Sequence, residues 1–71
     1  MLKSDSRLIK EGDTFIAIKG DVYDGHMFIE EAIKNGATEV IVETGEYNVT
    51  TKKVVSTKEY LNSYLKDKMP N

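Results

Sequence analysis

The sequence predicts an α/β domain: a small sheet of three or four strands that contains a βαβ unit and is packed by two helices. Three observations carry this. Two compact apolar runs, Thr14–Lys19 and Glu39–Glu43, flank a stretch with helical spacing. A second amphipathic stretch follows Ser56. Glycines 12, 20, 25, 36 and 45 all fall between apolar runs, where turns belong. With 71 residues the chain is one small domain, 1–71. A chain of this size buries only about 60% of its unfolded-state surface, so a second core is excluded.

In order along the chain, the first strand is expected over Thr14–Lys19, after the turn-like Glu11-Gly12-Asp13. Phe15, Ile16, Ala17 and Ile18 are consecutive, which suits a strand covered on both faces. The first helix is expected near Gly25–Asn35. Asp24 is placed to cap it; Phe28, Ile29, Ala32 and Ile33 make one apolar face, and Glu30, Glu31 and Lys34 make the solvent face. Gly36 is placed for a left-handed C-terminal cap. The second strand is Glu39–Glu43, with three β-branched residues in a row. Strand, helix and strand make a βαβ unit, so the two strands should be parallel neighbours. Thr44–Thr51 is polar and reads as a loop, in the manner of a hairpin excursion, before a third strand at Lys53–Val55. Ser56-x-x-Glu59 has the form of a capping box for a second helix, Thr57–Lys66. Residues 67–71, with the single proline Pro70, read as a tail or linker. The expected core is Phe15, Ile16, Ile18, Phe28, Ile29, Ile33, Val40, Val42, Leu61 and Leu65.

Composition removes several function classes. Ten basic residues against twelve acidic ones give a net charge of −2. A nucleic-acid module needs clustered Lys and Arg to neutralise phosphates, so no nucleic-acid partner is expected. The chain has no cysteine and one histidine, which excludes disulfides, thiolate sites and a multi-histidine zinc centre. No stretch approaches the roughly 20 apolar residues of a membrane span, and the first ten residues lack a signal-peptide core. The expectation is a cytoplasmic protein with no membrane partner, in which Asn48-Val49-Thr50 is not a glycosylation site.

Few residues offer chemistry. His26 has two readings: a helix-entry residue that packs its ring, or an acid/base group in need of a partner. Asp21-Val22-Tyr23-Asp24 joins the C-terminal end of a buried strand to a helix start, a place where α/β proteins bind ligands; a capped connecting loop explains it equally. Asp5-Ser6-Arg7 reads as a local polar turn in which Arg7 pairs with a carboxylate. No G-x-x-x-x-G-K-[ST] and no G-x-G-x-x-G occurs anywhere, so the chain has no visible means of activating ATP.

Taken in order, Asp5-Ser6-Arg7, the run Gly12-Asp13-Thr14-Phe15-Ile16-Ala17-Ile18-Lys19-Gly20, Asp24-Gly25-His26-x-Phe28-Ile29, Ala32-Ile33-x-x-Gly36-Ala37 and Glu43 form one pattern. It resembles the N-terminal domain of the Mur ligases and spans over half the chain. The resemblance implies that domain's fold and its role, which is to hold the uridine end of a UDP-muramoyl-peptide. In that family a central domain binds ATP and Mg²⁺ and a C-terminal domain completes the amino-acid site; the substrate carboxylate is phosphorylated and then attacked by the incoming amine. The resemblance therefore implies a substrate-binding domain with no catalytic residues, no metal site and no cofactor of its own, inactive alone. Its partners would be the other two domains, with 67–71 leading toward the ATP-binding one. Carried over by position, the uridine contacts are Ser4, Ser6, Asp21, Val22 and Tyr23. Phe28-Ile29, Ala32-Ile33 and Val40-Ile41-Val42-Glu43 are more similar to the branch that adds the third amino acid, diaminopimelate or lysine, than to the branch that adds D-alanyl-D-alanine; a stand-alone binding module of the same fold is the other alternative.

Overall fold

The structure is a computed structural model and describes residues 1–22 and 24–68. Four strands lie side by side, all parallel, in the order β1 (Leu2–Lys3), β2 (Thr14–Ile16), β3 (Glu39–Val42) and β4 (Thr50–Lys53). The expected pairing of the first two apolar runs is present: Phe15 lies opposite Val40 and Ile16 opposite Ile41. The run is shorter than expected, because the chain turns back on itself after β2. The Ala17 amide still reaches the Ile41 carbonyl at 2.9 Å, but Lys19 then pairs antiparallel with Asp24, and the Gly25 amide donates to the Ile18 carbonyl at 2.7 Å. A side chain at position 25 would sit 2.8 Å from the Ile18 nitrogen, so the close return requires glycine.

The first helix begins as a 3-10 turn, Gly25–Phe28, capped by Asp24, and becomes helix α1 at Ile29–Lys34. It ends at Gly36, whose φ of +118° is the expected left-handed cap. A Cβ there would lie 2.6 Å from the Glu11 Cα, which adds a steric reason to the conformational one. The main core joins α1 to one face of the sheet through Ile9, Phe15, Ala17, Ile29, Ala32, Ala37, Val40 and Val42. Ile16 and Ile41 are buried on the opposite face. Five expected core residues are fully buried. Ile18, Phe28, Ile33 and Leu61 are only half-buried, and Leu65 is 44% exposed. Small side chains replace them in the core, since Ala17, Ala32 and Ala37 let α1 sit close to the strands.

Two readings of the second half are corrected. The third strand is Thr50–Lys53 rather than Lys53–Val55, and it runs parallel to β3, so residues 43–49 form a crossover and not a hairpin. Tyr47 and Val49 in that crossover pack on the core in place of a helix. β4 is a polar edge strand, whose lysines suit an unpaired edge, and Val55 is 98% exposed. β1, with two residues, has no counterpart among the expected strands.

Helix α2 runs over Thr57–Lys68, so it takes in two residues assigned to the tail; the remaining tail, 69–71, lies outside the described residues. Its N-terminus is capped as expected by Ser56, whose Oγ accepts from the Glu59 amide at 3.2 Å. α2 lies against the second face of the sheet, where Tyr60 and Tyr64 share a cavity with Thr14, Glu39 and Ile41. Lys52 on β4 sits 5.0 Å from the Tyr60 ring centroid. Among the described residues no helix is long and apolar enough to cross a membrane.

Candidate functional site

The C-terminal ends of β1 and β2 open into a groove of about 670 Å³. Its polar wall is Ser4, Asp5, Ser6 and Arg7, the segment that follows β1, with Glu31 from α1. Its apolar surface is Ile18, just beyond β2, with Phe28 and Leu61.

The polar wall is held by local hydrogen bonds. Asp5 caps the 3-10 turn Ser6–Leu8 by accepting from the Arg7 amide at 2.9 Å, and its two oxygens meet Arg7 Nε and Nη2 at 3.1 and 2.9 Å. The Arg7 side-chain hydrogen bond, with the amide bond next, holds the Asp5 carboxyl below the usual carboxylate range. The expected polar turn is therefore present, with Asp5 as the partner of Arg7. Ser6 is 4% exposed and tied to α1 from both ends. Its hydroxyl donates to Glu31 Oε2 at 3.2 Å, and its carbonyl accepts from Asn35 Nδ2 at 2.8 Å. With its one proton given to Glu31, the Ser6 hydroxyl has only lone pairs to offer a ligand.

The sequence-assigned contacts divide into three groups. Ser4 and Ser6 both line the groove. Asp21 and Val22 are exposed, Val22 completely, and do not line it; their loop leaves from Lys19, next to the groove residue Ile18. Tyr23 lies outside the described residues. The groove also draws on residues that sequence reasoning placed elsewhere. Ile18, Phe28 and Leu61 were expected in the core and Glu31 in solvent. Glu31 stands three positions after Phe28 and four before Asn35, so the three share one helical face. That spacing was the available signal.

Behind the groove, the strand ends are laced together by polar groups. His26 finds the partners that its sequence neighbourhood did not reveal. Its Nε2 accepts the Glu43 amide at 3.0 Å, so Nε2 carries no proton and Nδ1–H donates to Asp24 Oδ1 at 2.7 Å. The His26 amide, then its ring, holds the Asp24 carboxyl below its ordinary range. Both ring nitrogens serve the fold, which supports the packing reading over the acid/base one. No three His, Cys, Asp or Glu side chains among the described residues come together to hold a metal ion.

A family model described as "Mur ligase family, catalytic domain" matches residues 1–71. The chain belongs to the Mur ligase family. Among curated proteins, this Mur ligase domain is 57% identical over 42 residues to the UDP-N-acetylmuramoyl-L-alanyl-D-glutamate–2,6-diaminopimelate ligase of Vibrio cholerae, which covers 59% of this chain and 8% of that protein. Among solved structures, it matches the MurF ligase of Thermotoga maritima in complex with ADP with a TM-score of 0.79 and 37% identity, over 94% of this chain and 16% of that one. It matches the UDP-N-acetylmuramoylalanyl-D-glutamyl-2,6-diaminopimelate–D-alanyl-D-alanyl ligase of Acinetobacter baumannii with a TM-score of 0.78 and 33% identity, over 84% of this chain and 14% of that one. The Mur ligase N-terminal fold expected from the ordered motifs is therefore present. The chain spans 8–16% of the length of these proteins.

Proposed function

We propose that this Mur ligase domain holds the uridine end of a UDP-muramoyl-peptide for an ATP-dependent ligase of peptidoglycan-precursor synthesis. The observation that carries the reading is the groove at the ends of β1 and β2, walled by the Asp5-Ser6-Arg7 motif and large enough, at about 670 Å³, for a nucleoside-sized ligand. In this reading Asp21, Val22 and Tyr23, the positions that follow Gly20, supply the remaining contacts to the uridine. ATP and Mg²⁺ belong to other domains of the ligase, where the substrate carboxylate is activated and the amine attacks. The 57% identity to a diaminopimelate ligase favours addition of the third amino acid. The likeness to a D-alanyl-D-alanyl ligase structure supports the second reading, the D-alanyl-D-alanine-adding branch.

Binding by the domain alone should be weak, because contacts to phosphates and peptide come from elsewhere; a Kd near 1 mM is only about −4 kcal/mol. Calorimetric titration with UDP-MurNAc-L-Ala-D-Glu tests the reading. Binding that UDP competes away, and that the muramoyl-dipeptide without its nucleotide does not, is expected. Binding that survives excess UDP would contradict it.

A further inference from the structure

The loop between Lys19 and Asp24 is fastened at both ends by one continuous chain of hydrogen bonds. At its start the Lys19 amide donates to Thr57 Oγ1 at 3.3 Å. At its end Asp24 Oδ1 accepts from the His26 amide at 2.9 Å and from His26 Nδ1 at 2.7 Å. Glu43 joins the two ends. Its Oε2 accepts from the Thr57 amide at 3.1 Å and the Thr57 hydroxyl at 3.2 Å, and its own amide donates to His26 Nε2 at 3.0 Å. The Thr57 hydroxyl is thereby used in both directions, as acceptor for Lys19 and donor to Glu43. Thr57 is 0% exposed, so it cannot touch a ligand. The β2 ladder ends before Lys19, and the backbone closes the loop only through the Lys19–Asp24 bridge and the Gly25 amide on the Ile18 carbonyl; the Lys19 amide itself goes to Thr57.

We infer that Thr57 and Glu43 are positioning residues for nucleotide binding: through Lys19 and the His26–Asp24 pair they fix where the loop carrying Asp21 and Val22 leaves the sheet, next to Ile18, which shares the groove with the Ser4–Arg7 wall. Helix α2 then contributes to the site by its first residue as well as through Leu61. The inference rests on the uridine reading above, but the fastening of the loop has a readout of its own.

The test is a UDP titration of the 71-residue chain and of its Thr57→Val and Thr57→Ser variants, each with amide hydrogen exchange at Lys19–Val22. Valine keeps the shape and loses the hydroxyl; serine keeps the hydroxyl. The UDP Kd should rise about fivefold in Thr57→Val, as for one lost hydrogen bond, and less than about twofold in Thr57→Ser. Exchange at Lys19 should quicken about tenfold or more in the valine variant alone. Equal affinities and equal exchange in the two variants would overturn the inference. Should Thr57→Val not fold, Glu43→Ala against Glu43→Gln gives the same comparison, since a carboxamide oxygen still accepts both Thr57 protons. A wild-type chain that ignores UDP sinks the uridine reading, and with it the effect on affinity; the fastening of the loop is then judged on exchange alone, and a valine variant that exchanges like the serine one overturns that too.

Discussion

Asp13 is a small residue with a large share of the local order. It is 7% exposed, takes the Lys3 ammonium at 2.8 Å and the Lys10 amide at 2.8 Å, and also meets the Met1 amino group at 3.1 Å. The Lys3 hydrogen bond first, then Lys10 and then Met1, holds its carboxyl far below the usual carboxylate range. A carboxylate depressed in the folded state stabilises it above the unfolded value of about 3.9, and that contribution is lost as pH falls below it. The melting temperature should therefore fall steadily below about pH 4, and the drop should be shallower in Asp13→Asn; melting curves of both from pH 7 to pH 2 check this. Gly12 and Gly36 offer a second comparison at this scale. Both have positive φ, +90° and +118°, but a Cβ at position 12 meets nothing within 4 Å while one at 36 lies 2.6 Å from backbone. Gly12→Ala should cost about 1 kcal/mol for conformation alone, and Gly36→Ala distinctly more; chemical denaturation of the two variants reads the difference. Much of the residue scale was legible in sequence: the Asp24 and Ser56 caps, Gly36 and the pairing of Arg7. Glu31 was not, because a glutamate on the polar side of a helix looks the same whether it faces water or the hydroxyl of Ser6.

Elements differ in how much of their apolar face they bury. Ile29 on α1 is 0% exposed within the main core, while Leu65 on α2 is 44% exposed. Ile29→Ala should cost about 2–5 kcal/mol, and Leu65→Ala should stay within about 0.5 kcal/mol of the parent. Denaturant midpoints that rank the two the other way would show α2, not α1, to be the principal packing helix. Phe28 is half-buried at the groove, so Phe28→Ala should fall between them. β2, β3 and α1 were readable because apolar spacing reports burial on both sides of a layer. β4 was not: as an edge strand it is stabilised by backbone bonds to β3 and carries Thr50-Thr51-Lys52-Lys53, which has no hydrophobic signature. β1 is too short for any periodicity. The stripe Tyr60-Leu61-Tyr64-Leu65 marked α2 as amphipathic, yet part of that stripe faces the groove or solvent.

For the whole molecule, parallel order puts the C-terminal ends of β1 and β2 side by side, and this brings Ser4–Arg7 next to Ile18 from distant parts of the chain. The motif order pointed to that end of the sheet, where the groove lies; the groove's exact lining depends on how α1 and α2 pack and was not legible. The sequence lacks a phosphate loop, so purified chain should release no phosphate from ATP above background; release that His26→Ala abolishes would restore the acid/base reading of His26. Ser6→Ala should weaken UDP binding about fivefold, as for one hydrogen bond. The most direct test of the uridine site is an NMR titration of this chain with UDP. Amide shifts should concentrate at Ser4–Arg7 and Gly20–Gly25 and shrink in Ser6→Ala at equal UDP. Shifts confined to Thr44–Thr51 or to the outer turns of α2, with Ser4–Arg7 and Gly20–Gly25 unmoved, would contradict it.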